Sequence, residues 1–140
     1  MKSGSKSRQI LGSQAEEAVG AYYASIGYQV VSRNWRPPVG RARVRYELDW
    51  ILRRDDELLM VEVRSRTVVP SAQGLDAWFP VTKRRMLGRA VQAYLQSREG
   101  QLCVSQGIQA VHCELTLVDW SQKKLQRVPL HWQDLRSGFS

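Results

Sequence analysis

Charged residues lie inside two short apolar segments of this sequence, where a buried strand ordinarily excludes charge. Glu47 and Asp49 lie in YELDWILRR, and Glu62 and Arg64 lie in ELLMVEVRSR. Opposed carboxylates repel each other, and burial raises their pKa values unless a cation lies between them. A hard divalent cation such as Mg²⁺ or Mn²⁺ takes carboxylate oxygens, water and phosphate as ligands. These residue types therefore indicate a metal site suited to metal-assisted hydrolysis of a phosphodiester.

The two segments predict an antiparallel hairpin, with strands over about 46–53 and 58–66. Alternate residues of a strand share a face, so the charged residues leave an opposite apolar face that can anchor the hairpin on a core. A tight turn at 55–56 sets the register. The residues of the predicted apolar face are Leu48, Trp50, Leu52, Leu59, Val61 and Val63.

In that register Asp49 faces Glu62, and Glu47 faces Arg64. Directly opposed side chains of a hairpin have Cβ atoms roughly 4.5–5.5 Å apart, so each pair is close enough to interact. The simpler alternative is an ordinary ion pair between Glu47 and Arg64, with Asp49 and Glu62 hydrated at the end of a sheet.

The rest of the chain predicts the elements that position this hairpin. A helix over 13–26 begins with the capping-box spacing of Ser13 and Glu16, and a strand over 28–33 follows. The order αβββαββ predicts an α/β sandwich, with a central mixed sheet flanked by helices. We expect one domain over residues 12–140 after a disordered basic tail over 1–11. The later segments are a helix, a connection and two strands, over 81–97, 98–107, 110–119 and up to Pro129.

The charge balance favours a polyanionic partner. The 140 residues include 21 basic and 13 acidic residues, for a formal net charge of +8. Such an excess is typical of proteins that bind nucleic acid. No apolar run reaches the roughly 18 residues of a membrane span, so no membrane partner is expected. Two cysteines without CxxC spacing indicate a reducing, cytoplasmic setting.

Basic residues flank the hairpin in two places. In the loop before the hairpin, arginines favour phosphate contacts and a tryptophan is suited to stacking on an unpaired base. At the start of the second helix, cations oppose the helix dipole unless a phosphate lies there. A solvated, charge-rich surface is the simpler alternative for both places. The predicted nucleic-acid contacts are Arg33, Trp35, Arg36, Arg41, Arg43, Lys83, Arg84 and Arg85.

ELDWI followed by LLMVEVRSR resembles the core of PD-(D/E)xK nucleases, in which an Asp on one strand precedes (D/E)-x-K on the next. The chain is most similar to the YraN-like proteins, which are predicted nucleases of restriction-endonuclease-like fold, distantly related to archaeal Holliday-junction resolvases. The similarity extends to GSQAE at 12–16, GYQVVSRNW at 27–35 and VTK at 81–83. It therefore covers most of the chain.

The resemblance implies an endonuclease-like protein that acts on DNA, including branched, single-stranded or damaged DNA. It implies that Asp49 and Glu62 bind Mg²⁺ or Mn²⁺, that Glu16 is a further metal ligand, and that Arg64 occupies the place of the catalytic lysine. Related resolvases are symmetric dimers, so a homodimer is compatible with it. For Glu16, the helix cap remains an equal alternative. Two further residues would support the site, Glu47 and Arg66.

Four departures from the family pattern limit this interpretation, and one of them is a loop between Asn34 and Glu47 that is longer than usual. Arg64 cannot be a general base, because a guanidinium is not deprotonated near neutral pH; it can hold phosphate and stabilise charge, and Lys83 is a candidate for a mobile amine. Tyr46 stands where the family usually has glycine, and Glu114 lies where an Arg-Phe-Asp run is more common. The alternatives are a catalytically inactive nucleic-acid-binding module of the same fold and a protein–protein adaptor.

Overall fold

A computed structural model describes the backbone of residues 2–38, 46–67, 74–131 and 135, together with their side chains except those of 2–8 and 75. Arg41 and Arg43, two of the predicted nucleic-acid contacts, lie outside these ranges. No helix in the described ranges is both long and apolar enough to cross a membrane.

Helices precede, interrupt and cover a five-stranded sheet. Each predicted strand is present, with ends close to those expected from the alternation of apolar residues. The elements in chain order are α1 (Lys2–Ser25), β1 (Gln29–Trp35), β2 (Leu48–Arg54), β3 (Glu57–Arg66), α2 (Leu75–Trp78), α3 (Val81–Gln96), α4 (Arg98–Ser105), β4 (Ala110–Asp119) and β5 (Lys124–Leu130).

The sheet has the order β1-β2-β3-β4-β5, and β3 and β4 are parallel while the other neighbours are antiparallel. The mixed sheet is therefore as predicted, and α2, α3 and α4 form the crossover that parallel strands require. Arg54 pairs with Glu57, which confirms the tight turn between β2 and β3. Asp55 adopts φ 56 in this turn, a left-handed conformation that aspartate tolerates.

Apolar clusters cover both faces of the sheet. On one face, α1 packs against β2 and β3 through Ala15, Val19 and Tyr23. On the other face, α3 packs against the same strands through Leu87, Val91 and Tyr94. Five of the six predicted hairpin residues belong to the α1 cluster, namely Trp50, Leu52, Leu59, Val61 and Val63.

Leu48 departs from the predicted face and lies in the α3 cluster. The last pair between β2 and β3 joins Trp50 to Val61, so Leu48 lies beyond the part of β2 that β3 holds in register. It pairs instead with Trp35 of β1. The simple alternation of a hairpin therefore ends at Trp50.

The first helix is longer than predicted. It begins at Lys2, where the sequence indicated a disordered tail over 1–11. This segment contains no proline to break a helix, and Ile10 and Leu11 are its apolar residues next to Ser13. Ser13 therefore lies within α1, the capping box does not form, and Glu16 is not a helix cap.

The crossover also contains more helix than predicted, so the order is αβββαααββ rather than αβββαββ. The 98–107 connection is largely α4, whose N-terminus is capped where Gly100 N–H donates to Ser97 Oγ at 3.1 Å. A Cβ at Gly100 would lie 2.0 Å from the Tyr94 carbonyl oxygen. The close packing of α4 on α3 therefore requires glycine at position 100.

Glu114 joins three elements through one buried network. Arg127 of β5 donates to its Oε1 and Oε2 at 2.8 and 2.9 Å, and the Tyr23 hydroxyl of α1 donates to Oε1 at 2.7 Å. Both carboxylate oxygens are therefore bonded, and the departure from the family pattern at Glu114 has a structural role.

Candidate metal centre

The acidic residues meet where β2 and β3 separate, a place we call the fork. The ladder between these strands ends at Trp50 and Val61, whereas β3 continues along β4 to Arg66. Beyond the ladder, the backbone N–H of Val63 donates to Asp49 Oδ2 at 2.8 Å. A side-chain carboxylate thus replaces a carbonyl of the neighbouring strand, and this bond fixes Asp49 at the fork.

Helix α1 brings Glu16 to the fork because it approaches β2 closely. Trp50 Nε1 donates to the Glu16 carbonyl oxygen at 3.0 Å. The indole ring lies against Gly20, where an added Cβ would be 2.4 Å from a ring atom. Glycine at this position therefore permits the contact, and the contact sets where Glu16 lies along the strand.

Carboxylate oxygens of Glu16, Glu47 and Asp49 all lie within 4.8 Å of one another, and the three side chains are partly buried. We call this group the acidic cluster. Asn34 bridges two of its members: with its amide nitrogen facing them, it donates to Glu47 Oε1 at 3.0 Å and to Glu16 Oε1 at 3.3 Å. Oxygen ligands at this separation could hold a hard divalent cation.

Glu62 lies beside the acidic cluster and is only 4% exposed. Its Oε2 accepts a hydrogen bond from the Tyr46 hydroxyl and lies 3.1 Å from Arg64 Nη2. Its Oε1 is buried and has no hydrogen-bond partner among the described residues. The side chain also lies close enough to Asp49 to interact with it, although the paired part of β2 and β3 ends one residue earlier, at Trp50 and Val61.

Burial and mutual repulsion raise the pKa values of these acids. Burial is the largest cause for Asp49, and with the nearby charge of Glu62 it raises the pKa to about 8. Burial and then Asp49 raise the pKa of Glu16 to about 7. Burial also raises the pKa of Glu62, against the opposing effect of Arg64. Without a cation, the site therefore retains protons near neutral pH, and metal binding would release them.

Two arginines follow Glu62 on the same strand. The Arg64 guanidinium lies over the Phe79 ring, 5.1 Å from its centre, and Arg66 lies over the Trp78 ring at 5.5 Å. Burial and the charge of Arg64 lower the pKa of Arg66. The end of β3 thus concentrates positive charge next to the acidic residues.

The predicted ion pair between Glu47 and Arg64 does not form. Glu47 precedes β2, which begins at Leu48, so it is not held opposite Arg64 by a strand ladder. Glu47 Oε2 instead lies 2.6 Å from Arg36 Nε, and Arg64 pairs with Glu62. The alternative of an ordinary Glu47–Arg64 pair is therefore wrong.

The arginines of β1 and the segment after it remain at the surface. Arg33 pairs with Glu17 at 2.6 Å and stacks on the Trp50 ring, and the Arg36 side chain is 75% exposed beside Glu47. Trp35 is different, because its ring packs edge-on against Tyr94 with centroids 5.1 Å apart. The ring is partly buried against the core cluster of α3, and its role as a base-stacking residue stays a prediction.

At the start of α3, Lys83 is exposed and Arg85 is partly buried, whereas Arg84 is buried. Arg84 Nη2 lies 2.6 Å from Asp76 of α2. Helix α2, which the sequence did not reveal, thus supplies a carboxylate partner for Arg84, and the nucleic-acid contact at Arg84 stays a prediction.

Sequence reasoning missed two residues that orient the acids, Asn34 and Tyr46. Asn34 adopts φ 52 near the end of β1, which no periodicity signals, although it lies in the GYQVVSRNW motif. Tyr46 departs from the family pattern, so the resemblance gave no role to its hydroxyl. Glu47, expected only to support the site, is a full member of the acidic cluster.

The fold and the fork define an α/β protein that holds a group of interacting carboxylates where two inner strands of a mixed sheet separate. The model of the uncharacterised protein family UPF0102 matches residues 15–119, which is more than half of the chain. The chain therefore belongs to this family, the YraN family, as its motifs predicted.

Individual relatives show the same membership. A UPF0102 protein of Parasynechococcus marenigrum (strain WH8102) is 37% identical over 87 residues, covering 59% of this chain and 55% of that protein. Another UPF0102 protein, from Synechococcus sp. (strain CC9902), is 39% identical over 88 residues, covering 62% of this chain and 67% of that protein. A third, from Chlorobium chlorochromatii (strain CaD3), is 37% identical over 94 residues, covering 66% of each. The chain thus matches little more than half the length of the first of these relatives.

Proposed function

We propose that this protein is a metal-dependent, endonuclease-like enzyme of restriction-endonuclease-like fold that hydrolyses phosphodiesters of DNA. The observation that carries the proposal is the convergence of Glu16, Glu47 and Asp49 oxygens within 4.8 Å, next to buried Glu62. Membership of the YraN family supports it, because the acids lie on motifs that resemble the PD-(D/E)xK core.

The residues at the fork fit Mg²⁺ or Mn²⁺. All candidate ligands are carboxylate oxygens, the donor type that these ions prefer. Glu62 Oε1 is a buried acceptor without a partner among the described residues. Burial and then neighbouring carboxylates raise the pKa values of Asp49 and Glu16, and a bound cation would oppose both effects. Asp49, Glu62 and Glu16 would hold the ion, with Glu47 as a further ligand. When bound, the ion supplies a water of lowered pKa and stabilises developing negative charge.

The protein's own groups orient these ligands and receive the substrate. Tyr46 donates to Glu62, and Asn34 donates to Glu16 and Glu47, so each ligand is held by a second residue. Arg64 is permanently charged and lies next to Glu62. Its role is to hold the scissile phosphate, because a guanidinium cannot accept the proton of an attacking water.

The charge of the chain supports DNA as the partner. A net charge of +8 attracts a polyanion, and Arg36 and Lys83 are exposed on the described surface. Cys103 and Cys113 are free and buried, which is compatible with the proposed cytoplasmic location. Branched and single-stranded DNA are the proposed substrates, and a homodimer is the proposed assembly.

A cleavage assay tests the proposal. The protein is incubated with branched, single-stranded and duplex DNA, with Mg²⁺ or Mn²⁺ and with chelator. We expect metal-dependent cutting that falls by about 100-fold or more in Asp49→Asn and in Glu62→Gln, because each removes a ligand charge. Matched controls are Asp56→Asn in the exposed turn and Glu57→Gln at the start of β3, which should cut normally. Cutting that persists in chelator, or in both site variants, would contradict the proposal.

A second candidate is a non-catalytic nucleic-acid-binding module, and Arg64 is the observation that favours it. The residue at this position cannot exchange a proton and already pairs with Glu62. Salt-sensitive DNA binding without cutting in either metal would select this function. If the protein has no affinity for DNA at low salt, a protein–protein adaptor becomes the better explanation.

A further inference from the structure

Asn34 has an unusual backbone conformation and lies beside the acidic cluster. Its two neighbours on β1 pair with Trp50 and Leu48 of β2, so Asn34 is level with Asp49, the residue between them. Its φ of 52 is in the left-handed region, which asparagine adopts more readily than most residues. Asn34 is also exposed. The end of β1 therefore presents an exposed side-chain amide to the carboxylates of the fork.

One end of this amide is in close contact with two of the carboxylates. It lies 3.0 Å from Glu47 Oε1 and 3.3 Å from Glu16 Oε1. Because ionised carboxylates only accept hydrogen bonds, the amide nitrogen faces them when no cation is bound, and it donates to both. Similar separations occur between oxygens that share a cation. Two ligands at right angles, each about 2.0–2.1 Å from Mg²⁺, are about 2.9 Å apart.

A buried oxygen beside the cluster independently indicates a cation. Glu62 Oε1 belongs to a side chain that is only 4% exposed, and it has no hydrogen-bond partner in the described ranges. Glu62 also interacts with Asp49, a member of the acidic cluster. Burial of an acceptor without a donor costs free energy, and a cation at the fork would remove this cost.

We propose that Asn34 is itself a metal ligand, through its side-chain amide oxygen, and that the amide turns over when Mg²⁺ or Mn²⁺ binds. Without the ion, the nitrogen donates to Glu47 and Glu16. With the ion, rotation of the amide brings the oxygen to the place of the nitrogen, and the nitrogen becomes hydrated. This rotation does not disturb the core, because Asn34 is exposed.

The inference rests on the proposed function, because it assumes the metal site at the fork. Carbonyl oxygens suit Mg²⁺ and Mn²⁺ as carboxylates do. An amide oxygen would add a ligand without adding negative charge to Glu16, Glu47 and Asp49, whose carboxylate oxygens already lie within 4.8 Å of one another. Asn34 thus stabilises the cluster in both states, as a donor without the ion and as a ligand with it.

The composition of the chain provides a direct test, because Asn34 is its only asparagine. Protein labelled with ¹³C and ¹⁵N in asparagine alone gives one side-chain amide signal, which is followed while Mg²⁺ is added. We expect the side-chain carbonyl carbon resonance to shift saturably. The amide protons should exchange with water about tenfold faster or more, once their hydrogen bonds to carboxylates are lost. A carbonyl resonance that does not move at saturating Mg²⁺, or amide protons that stay protected, would overturn the inference.

Substitutions at Asn34 separate a ligand from a hydrogen-bond donor. Asn34→Asp keeps an oxygen and cannot donate when ionised, whereas Asn34→Gly removes the side chain and tolerates φ 52. Titration calorimetry with Mn²⁺ should show Asn34→Asp binding at least as tightly as wild type, and Asn34→Gly binding about tenfold more weakly or worse. Asp55→Gly, at an exposed position with φ 56 in the turn between β2 and β3, is the matched control and should bind normally.

Thermal unfolding in chelator verifies that each variant is folded. Equal weakening in Asn34→Asp and Asn34→Gly would show that Asn34 acts only as a donor. Normal Mn²⁺ binding in Asn34→Gly would show that the side chain has no part in the site. Either result would overturn the inference.

These outcomes are distinct from failure of the proposed function. Mn²⁺ binding that is lost in Asp49→Asn, together with an Asn34 amide that does not respond to metal, would keep the metal site and overturn this inference. Absence of binding of either ion would overturn both. A metal-responsive Asn34 amide in a protein that cuts no DNA would support this inference and overturn the nuclease proposal.

Discussion

The carboxylate of Glu114 and the carboxylates of the acidic cluster have very different surroundings. Glu114 on β4 has both oxygens bonded, by Arg127 and by Tyr23. At the fork, Glu16, Glu47 and Asp49 lie together, and Asp49 and Glu16 have pKa values raised to about 8 and about 7. A fully satisfied polar network stabilises one fold. An unsatisfied one costs stability, and such perturbed groups concentrate at functional sites.

The largest expected difference is in how a divalent metal stabilises the protein, because the metal should act on the acidic cluster and not on Glu114. We expect Mn²⁺ at about a hundred times its Kd to raise the free energy of unfolding by about 2.7 kcal/mol, since it binds the folded acidic cluster and not the unfolded chain. Thermal or denaturant unfolding at pH 8, with Mn²⁺ and with chelator, measures this. A Glu114→Gln variant should keep the full increase and Asp49→Asn should lose most of it. An equal increase in the two variants would show that the metal does not bind through Asp49.

Truncating the satisfied network should be the next largest effect. Glu114→Ala leaves Arg127 and the Tyr23 hydroxyl without their carboxylate partner, and we expect a loss of about 2–3 kcal/mol at neutral pH. Urea denaturation measures the change. Glu57→Ala on the neighbouring strand, where the side chain is 41% exposed, is the control and should cost much less. If the two variants cost the same, the Glu114 network is not the structural element described above.

Gly20→Ala should displace the Trp50 ring, and through it the backbone at Glu16. The added methyl would meet the Trp50 ring at 2.4 Å, and overpacking of this kind costs about 1–3 kcal/mol. Because Trp50 also bonds the backbone at Glu16, we expect weaker Mn²⁺ binding by isothermal titration calorimetry. Gly12→Ala, where an added Cβ meets nothing within 4 Å, is the matched control on the same helix. Normal metal affinity in Gly20→Ala would show that Glu16 does not depend on this contact.

The smallest expected effect is the pH dependence of the free energy of unfolding that results from the raised pKa of Asp49. Its pKa is raised from 3.8 to about 8 in the folded protein, so the folded state binds more protons than the unfolded state between these values. In chelator, the free energy of unfolding should therefore fall as pH rises from about 4 to about 8. Asp49→Asn removes this penalty and should gain about 1–2 kcal/mol at pH 8 after solvent screening, and little at pH 4. If Asp49→Asn is no more stable than wild type at pH 8 in chelator, the Asp49 carboxylate does not destabilise the folded protein and the prediction is wrong.

The sequence predicted those features that depend on local periodicity. Strand alternation and the tight turn predicted the register of β2 and β3 as far as the pair of Trp50 and Val61. Asp49 and Glu62 interact just beyond the end of this ladder. For Glu16 the sequence left a metal ligand and a helix cap as equal alternatives, and the longer α1 removes the cap.

Other features depend on contacts between residues far apart in the chain. The ion pair of Arg84 with Asp76 depends on α2, which the sequence did not reveal. The contact of the Trp35 ring with Tyr94 joins β1 to α3 and has no local signal. Tyr46 reaches Glu62 only because β2 and β3 separate beyond Trp50. No local pattern encodes such an ending of a ladder, so sequence reasoning had no signal for it.

The parallel pairing of β3 with β4 has a consequence for the order in which the chain folds. β3 and β4 are separated in sequence by the whole helical crossover, whereas β2–β3 and β4–β5 are local hairpins. Contacts between distant segments carry a larger loop-closure entropy and form later. We therefore expect both hairpins to gain protection early in pulsed hydrogen exchange, and the β3–β4 amides to gain it last. The centre of the finished sheet would then be the final part to be built.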